Sequence, residues 1–277
     1  MTFELTEPIL IIGLGGVGSR LADKAKKSLN SDCLLISHDK KDLTSENSIK
    51  ISTKSVVNPS THLIRGSTLE VSDDIKKSMG KYSTVILMSN LAGKAGAGIG
   101  PIVSKICKQE QKNLLSFAIM PFKFEKERIF QSGIALKRIR QDSQCTIVVD
   151  NDALLDSNPD LTQNQCYDIS NKAIESMMYS LKSSEISGDT NIMSTGKVNN
   201  NIETSLKDSL RMLYEDAPPN SIKRSMLYVY GGNDIPVGVL NTISNITGGT
   251  FDENSTHVEM SSEESKVVML SSIQGET

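Results

Sequence analysis

The sequence predicts an α/β fold, in which a parallel sheet covered by helices leads through a central helix into a smaller α+β domain. Three observations carry this. Short apolar runs alternate with longer amphipathic stretches across residues 9–149. Glycine-rich segments, at 13–18 and 93–100, follow directly on two of those runs. After a polar stretch at 183–201 the pattern changes to strands with few helices between them. Strands that alternate with helices across short loops make parallel sheets buried on both faces. The chain of 277 residues is long enough for such a division, placed at 1–160 for the sheet domain, 161–183 for the central helix and 184–277 for the α+β domain.

Apolar periodicity fixes the elements in order. Ile9–Ile12 is a strand, and Ser19–Ser28 a helix with Leu21 and Ala25 on one face. Leu34–Ile36 and Tyr82–Met88 are further strands, followed by a helix from Pro101 to Gln111. Leu114–Met120 and Thr146–Val149 are strands separated by a helix over Glu127–Arg140. Leu161–Ser183 is one long helix, with Ile169, Ala173 and Met177 at helical spacing. In the last part Ser225–Tyr230, "STHVEM" and "SKVVMLSSI" are strands, "GGNDIP" is a turn and Val237–Ile246 a helix.

Composition excludes several function classes. A net charge of −3 with 23 % charged residues gives no global attraction for nucleic acid or an anionic membrane. The four cysteines (Cys33, Cys107, Cys145, Cys166) form no C-x-x-C pair, which argues against a disulfide framework and against a metal site. The amino terminus is too acidic for a signal peptide. No apolar run approaches the ~18 residues of a membrane span, so the expected location is the cytoplasm, without direct membrane insertion.

The segment Gly13-Leu14-Gly15-Gly16-Val17-Gly18 satisfies G-x-G-x-x-G between a strand and a helix. Glycine lets backbone approach a ligand, and the helix that follows offers unpaired N–H groups and a positive dipole end to an anion. A dinucleotide, an adenylate and a nucleoside triphosphate all fit this loop. Asp39, 21 positions after Gly18, meets the Rossmann requirement for an acid about 20 residues on, which keeps an NAD-dependent or adenylating enzyme open. The second run, "SNLAGKAGAGIGP" at 89–101, reads as another anion-facing loop ahead of a helix with Pro101 in its first turn. Two such loops at neighbouring strand ends suit a di- or triphosphate held from two sides.

At this point the chain resembles the FtsZ and tubulin superfamily, in a divergent, prokaryotic or archaeal form. Gly13–Ser19 matches that family's G-x-G-G-x-G-N with serine for asparagine, and Ala92–Gly98 aligns with its G-G-G-T-G-T-G signature. "MPFKFEKER" (120–128) resembles P-F-x-F-E-G, "VVDNDALLD" (148–156) resembles P-N-D-x-L-L, and "LYVYGGNDIPVGVL" (227–240) resembles V-N-I-T-x-G. The resemblance implies a Rossmann-like GTPase domain that takes GTP or GDP, with Mg2+ as a companion ion. It implies phosphate contacts from Gly15, Gly16, Gly18, Gly93, Lys94, Gly96 and Gly98. Glu125 and Arg128 would serve the ribose, Asn151 the ribose or base, Tyr167 would stack on guanine, and Asn171 with Lys172 would read its edge.

Two departures shape the functional expectation. Ala95 and Ala97 replace the signature threonines, and Lys94 replaces a glycine, so two hydroxyl donors are exchanged for one flexible charge. Family members also insert an N-x-D-F-A-D loop into the next subunit's nucleotide site to activate water. The ungapped alignment places Gly188–Lys197 there, with Met193 and Gly196 at the aspartate positions. Neither residue can orient water, so no catalytic residue is assigned and hydrolysis is expected to be very slow or absent. The implied partners are further copies of the chain in a head-to-tail filament of cell division or cell shape, together with a catalytically active FtsZ relative. A nucleotide-free scaffold of the same fold is the remaining alternative.

Overall fold

The computed structural model describes residues 2–54, 57–181, 186–197, 201–230, 238, 253–259 and 266–273. The chain divides into two compact units, Met1–Thr146 and Ile147–Thr277.

The first unit runs β1 (Thr2–Phe3), β2 (Ile9–Leu14), α1 (Gly15–Leu29), β3 (Asp32–Ser37), a 3-10 turn (Lys40–Asp42), β4 (Ser48–Lys50), α2 (Thr61–Glu70), α3 (Ser72–Met79), β5 (Thr84–Asn90), α4 (Lys94–Gln109), β6 (Asn113–Met120) and α5 (Lys126–Asp142). Its strands pair in the order β6-β5-β2-β3-β4, every pair parallel. All six residues of β2 are buried, as expected for a parallel strand covered on both faces. Leu10, Ile12, Leu34, Ile36, Val85 and Leu87 pack with Ile99 and Val103 of α4 on one side of the sheet. The chain moves outward from β2 in both directions, so β2 and β5 flank the point where the strand order reverses. Ligands of such sheets sit at the carboxyl ends of strands at that point.

The second glycine run is helix rather than loop. α4 begins at Lys94, so Gly96, Gly98 and Gly100 lie inside it, and Pro101 falls in its interior instead of its first turn. Glycine in a helix costs about 1 kcal/mol relative to alanine. Here close packing offsets that cost. A Cβ on Gly96 would stand 2.1 Å from the Asn90 carbonyl oxygen, and one on Gly98 3.1 Å from that of Thr61. Pro101 has no N–H for the carbonyl of Ala97, four residues earlier. Arg65 of α2 supplies the missing donor, its Nη2 standing 3.1 Å from the Ala97 oxygen. Arg65→Met is therefore expected to cost about 1–3 kcal/mol, the usual penalty for stranding a buried acceptor. A urea midpoint unchanged from wild type would refute that assignment.

The second unit contains most of β7 (Cys145–Asp150), then α6 (Asn151–Ser157), α7 (Gln163–Ser180), β8 (Ile186–Ser187), β9 (Thr190–Thr195), α8 (Ile202–Asp216), β10 (Ile222–Tyr230), β11 (Glu253–Glu259) and β12 (Lys266–Ile273). β12 runs antiparallel to both β10 and β9, and β11 runs parallel to β10. Leu206 and Leu213 of α8 pack on Ile192, Leu227, Val229, Val267 and Met269 of the sheet. The seryl hydroxyls of α8 bind it to β12: Ser205 accepts from the Val267 amide at 2.9 Å, and Ser209 donates to the Val267 carbonyl at 3.0 Å. Thr162 and Gln165 form a capping box that starts α7. The expected turn "GGNDIP" and the expected helix Val237–Ile246 lie outside the described residues, Gly238 excepted.

The polar stretch 183–201 contains a strand that hydrophobic patterning does not show. β9 is built from Thr-Asn-Ile-Met-Ser-Thr, five of its six residues buried. Two of its polar side chains find partners: Asn191 Nδ2 donates to the Ser187 carbonyl at 2.9 Å, and Thr195 Oγ1 donates to the Val267 carbonyl at 3.2 Å, while the Ser194 hydroxyl is buried without one among the described residues. The alignment of Gly188–Lys197 with a projecting catalytic loop is thereby corrected. Met193 is fully buried in the sheet, paired with Leu270, and a Cβ on Gly196 would meet the Ser205 carbonyl at 2.7 Å.

Candidate functional site

At the carboxyl end of β2 the chain turns straight into α1. Gly15, the first helical residue, has φ +64°, and a Cβ there would also lie 2.8 Å from the Ala95 Cβ of α4. Backbone and space both demand glycine at this position. The same contact shows that the first turns of α1 and α4 touch. The first N–H groups of a helix have no partner within it. Gly15, Gly16 and Val17 therefore offer amides from α1, and Lys94, Ala95 and Gly96 offer them from α4. Two positive dipole ends converge on one place.

The remaining glycines of the two runs serve packing. A Cβ on Gly13 would meet the Gly18 oxygen at 2.6 Å, and one on Gly18 the Met88 oxygen at 2.4 Å. The amides of Gly18 and Gly98 lie beyond the first turn and pair inside their helices. Gly93 is the N-cap of α4, with its amide bonded to the Asn90 carbonyl at 3.1 Å.

Beside the α4 terminus lies a cavity of about 470 Å³, lined by His38, Thr61, Gly93, Lys94, Arg128 and Gln131 among others. Its size falls within the ordinary range for small-molecule sites. Lys94 is exposed, and its Nζ donates to Asn58 Oδ1 at 2.6 Å. A cation at the first position of a helix opposes the dipole, and a neutral amide oxygen compensates that only in part. Glu125 is the N-cap residue of α5. Its Oε1 accepts from Arg128 Nη1 at 2.6 Å and its Oε2 from the Phe122 amide at 3.2 Å. The two expected ribose residues thus arrive as a pre-formed ion pair.

Two residues near this site carry no motif signal. His38 follows the end of β3, and burial pushes its imidazole below the usual value against the pull of Asp42 and Asp39. Asp42 stands against Gly16, with its Oδ1 2.9 Å from the position of a Cβ there. The signal in the sequence was their place just after a strand's carboxyl end, where a 3-10 turn brings them back towards α1. Asp39, the acid of the dinucleotide alternative, caps that turn by accepting from the Lys41 amide at 3.0 Å.

In the second unit Asn151 opens α6 and is fully buried. Its Oδ1 accepts from Ser170 Oγ of α7 at 2.6 Å, while its Nδ2 is buried without a partner among the described residues. An orphaned buried amide is what a binding position looks like before its acceptor arrives. Tyr167 and Asn171, both half-buried, lie one turn apart on the same stripe of α7, and Lys172 beside them is exposed. Asp150 replaces the proline of the P-N-D motif. Burial holds its carboxyl above the usual range, although the side-chain bond to Asp216 and the Asp152 amide pull it down. Among the described residues no group of three or more His, Cys, Asp or Glu side chains could hold a metal ion by itself. No helix among them is long and apolar enough to cross a membrane.

Parallel strands, a reversal of strand order between β2 and β5, and two helix termini converging beside a cavity define a ligand-binding α/β domain of the doubly wound class. Residues 8–159, more than half of the chain, match the model of the Tubulin/FtsZ family, GTPase domain. The chain belongs to that family. It is 27 % identical over 184 residues to cell division protein FtsZ 2 of Halobacterium salinarum, covering 62 % of this chain and 46 % of that protein. It is 26 % identical over 207 residues to cell division protein FtsZ of Aquifex aeolicus, covering 69 % of this chain and 53 % of that protein. The chain thus spans about half the length of the curated relatives it matches. Among solved structures it is similar to an empty FtsZ dimer of M. jannaschii (TM-score 0.79, 15 % identity, 96 % of this chain and 88 % of that one). It is also similar to CetZ from Methanosaeta thermophila (TM-score 0.72, 16 % identity, 97 % and 87 %). At those identities the likeness is one of fold.

Proposed function

We propose that this protein binds a guanine nucleotide, GTP or GDP, with its phosphates at the first turns of α1 and α4, and assembles end to end with further copies of itself in the cytoplasm. The observation that carries the reading is the convergence of two glycine-opened helix termini, marked by the Gly15–Ala95 contact, with the Lys94 ammonium on the wall of the adjoining cavity. Two dipole ends and a lysine that opposes one of them form an arrangement completed by a polyanion. The first-turn amides of Gly15, Gly16 and Gly96 would donate to phosphate oxygens. Glu125 and Arg128 would meet the ribose, and the family resemblance implies ribose and base roles for Asn151, Tyr167, Asn171 and Lys172. A Mg2+ ion would neutralise phosphate charge when bound.

Hydrolysis is proposed to be very slow. The support is that Asp189 is the only acid among residues 186–197, which follow the central helix. A subunit of this kind would hold GTP in a filament of cell division or cell shape, alone or beside an active relative.

The test is to denature the purified protein and identify the released nucleotide. Guanine nucleotide is the expected result. Adenine or NAD would favour a Rossmann-type enzyme, and no nucleotide after loading with GTP would favour a scaffold. Filaments assembled with GTP should release little phosphate, and sustained turnover would refute the reading of hydrolysis.

A further inference from the structure

A carboxylate stands beside the first loop, against Gly16. Asp42 ends the 3-10 turn after β3, and its Oδ2 accepts from the Ser37 hydroxyl at 2.7 Å. Its own amide is bonded to the Asp39 carbonyl at 3.2 Å. So held, its carboxylate lies beside the opening of α1. A Cβ on Gly16 would be 2.9 Å from Oδ1 and 3.6 Å from Cγ, and one on Gly15 would be 3.9 Å from Oδ2. The other charged or titratable groups nearby are Arg20 of α1, whose Nη1 is 4.0 Å from the same Gly16 position, and His38, on which Asp42, Asp39 and Lys94 of α4 all act electrostatically. The carboxylate is thus an anion near the positive end of the α1 dipole. A phosphate entering the same turn brings a second anion into its company.

Hard divalent cations resolve such a meeting. Mg2+ takes one or two carboxylates together with substrate phosphates, and rarely an all-protein cage. The described residues offer no such cage, yet they place one carboxylate, Asp42, beside the phosphate-facing turn, held there by the hydroxyl of the buried Ser37. Resting on the nucleotide reading above, we infer that Asp42 sets the charge that the first loop accepts. Nucleotide enters as its complex with a divalent cation of the Mg2+ class, with the Asp42 carboxylate on the cation side of the phosphates. Without the cation, Asp42 opposes entry.

The experiment compares the affinity of wild type and Asp42→Asn for GDP, by calorimetry, in excess Mg2+ and in excess chelator. Asparagine keeps the size of the side chain and an acceptor for Ser37, and Asp42→Ser serves as a second variant if thermal melts show the first to be unfolded. Wild type should bind about tenfold or more weakly without the cation. The variant should gain about tenfold in chelator, so that its two affinities converge. An equal dependence on Mg2+ in both proteins would overturn the inference and leave the nucleotide reading standing. So would a variant that binds more tightly by the same factor in both buffers, because the carboxylate would then be only an occupant of the cradle. Folded proteins that bind no GDP in either buffer would overturn the nucleotide reading and this inference with it.

Discussion

An alanine at position 96 is expected to destabilise the protein by about 3 kcal/mol or more, a value reserved for substitutions that force backbone apart. Its Cβ would stand 2.1 Å from the Asn90 carbonyl oxygen and 2.7 Å from the carbonyl carbon. Neither atom belongs to a flexible side chain, so relief requires moving α4 or the turn that precedes it. That turn is held by the Gly93 amide on the Asn90 carbonyl at 3.1 Å and the Leu91 amide on Ile119 at 2.8 Å. Helix propensity acts in the opposite direction, since alanine is better than glycine by up to about 1 kcal/mol inside a helix. Gly133 of α5 isolates that opposing effect, because a Cβ there meets nothing within 4 Å. Gly133→Ala should therefore stabilise by about 0.5–1 kcal/mol. Urea melts of the two variants should move in opposite directions. A Gly96→Ala midpoint equal to wild type would mean that α4 does not rest on Asn90.

The same contacts explain what the sequence made legible and what it hid. The parallel strands were readable because burial on both faces leaves runs such as Ile9–Ile12 and Leu34–Ile36 without polar interruption. The first turn of α4 was misread because four glycines in eight residues look like a loop when only chain flexibility is weighed. Tertiary contact at Asn90, Thr61 and Ile64 outweighs it. Pro101 misled for a related reason: the donor that makes a mid-helix proline tolerable, Arg65, lies 36 positions away in sequence. β9 was hidden by its own composition. Thr190, Asn191, Ser194 and Thr195 give no apolar alternation, and the bond of Thr195 reaches Val267, a residue that only the fold brings near.

Of the candidate site, the two glycine segments and the "PFKFE" station were legible because each sits at a strand's carboxyl end in the order that the family shares. Their division of labour was not. Gly15 is required by its positive φ and Gly18 by the Met88 carbonyl, and identical letters in a motif cannot separate the two causes. His38 and Asp42 carried no signal beyond their place after β3. They belong to no motif, and their nearness to the first loop comes from a three-residue 3-10 turn capped by Asp39.

Replacing Lys94 by methionine should change two quantities with opposite sign, and that pairing separates a ligand-binding lysine from an ornamental one. Lys94 occupies the first position of α4, where its charge faces the positive end of the helix dipole. In the unliganded protein that arrangement is unfavourable, and the hydrogen bond to Asn58 at 2.6 Å is made to a neutral acceptor at the surface. Removing the charge should leave the unliganded protein as stable as wild type, or more stable by about 0.3–1 kcal/mol. With a phosphate at the α4 terminus the sign reverses, because the ammonium then faces an anion in the company of the first-turn amides. Losing a hydrogen bond to a charged group costs about 1.5–3 kcal/mol, which is roughly a ten- to hundredfold loss of nucleotide affinity. Lys94→Arg retains the charge and should recover much of that loss, although its planar head cannot reproduce a point charge on a flexible stem. Melts without nucleotide and titrations with GDP measure the two effects separately. If Lys94→Met lowers stability and leaves affinity untouched, the lysine is a strut for Asn58, and the anion that justifies its place on α4 is not there.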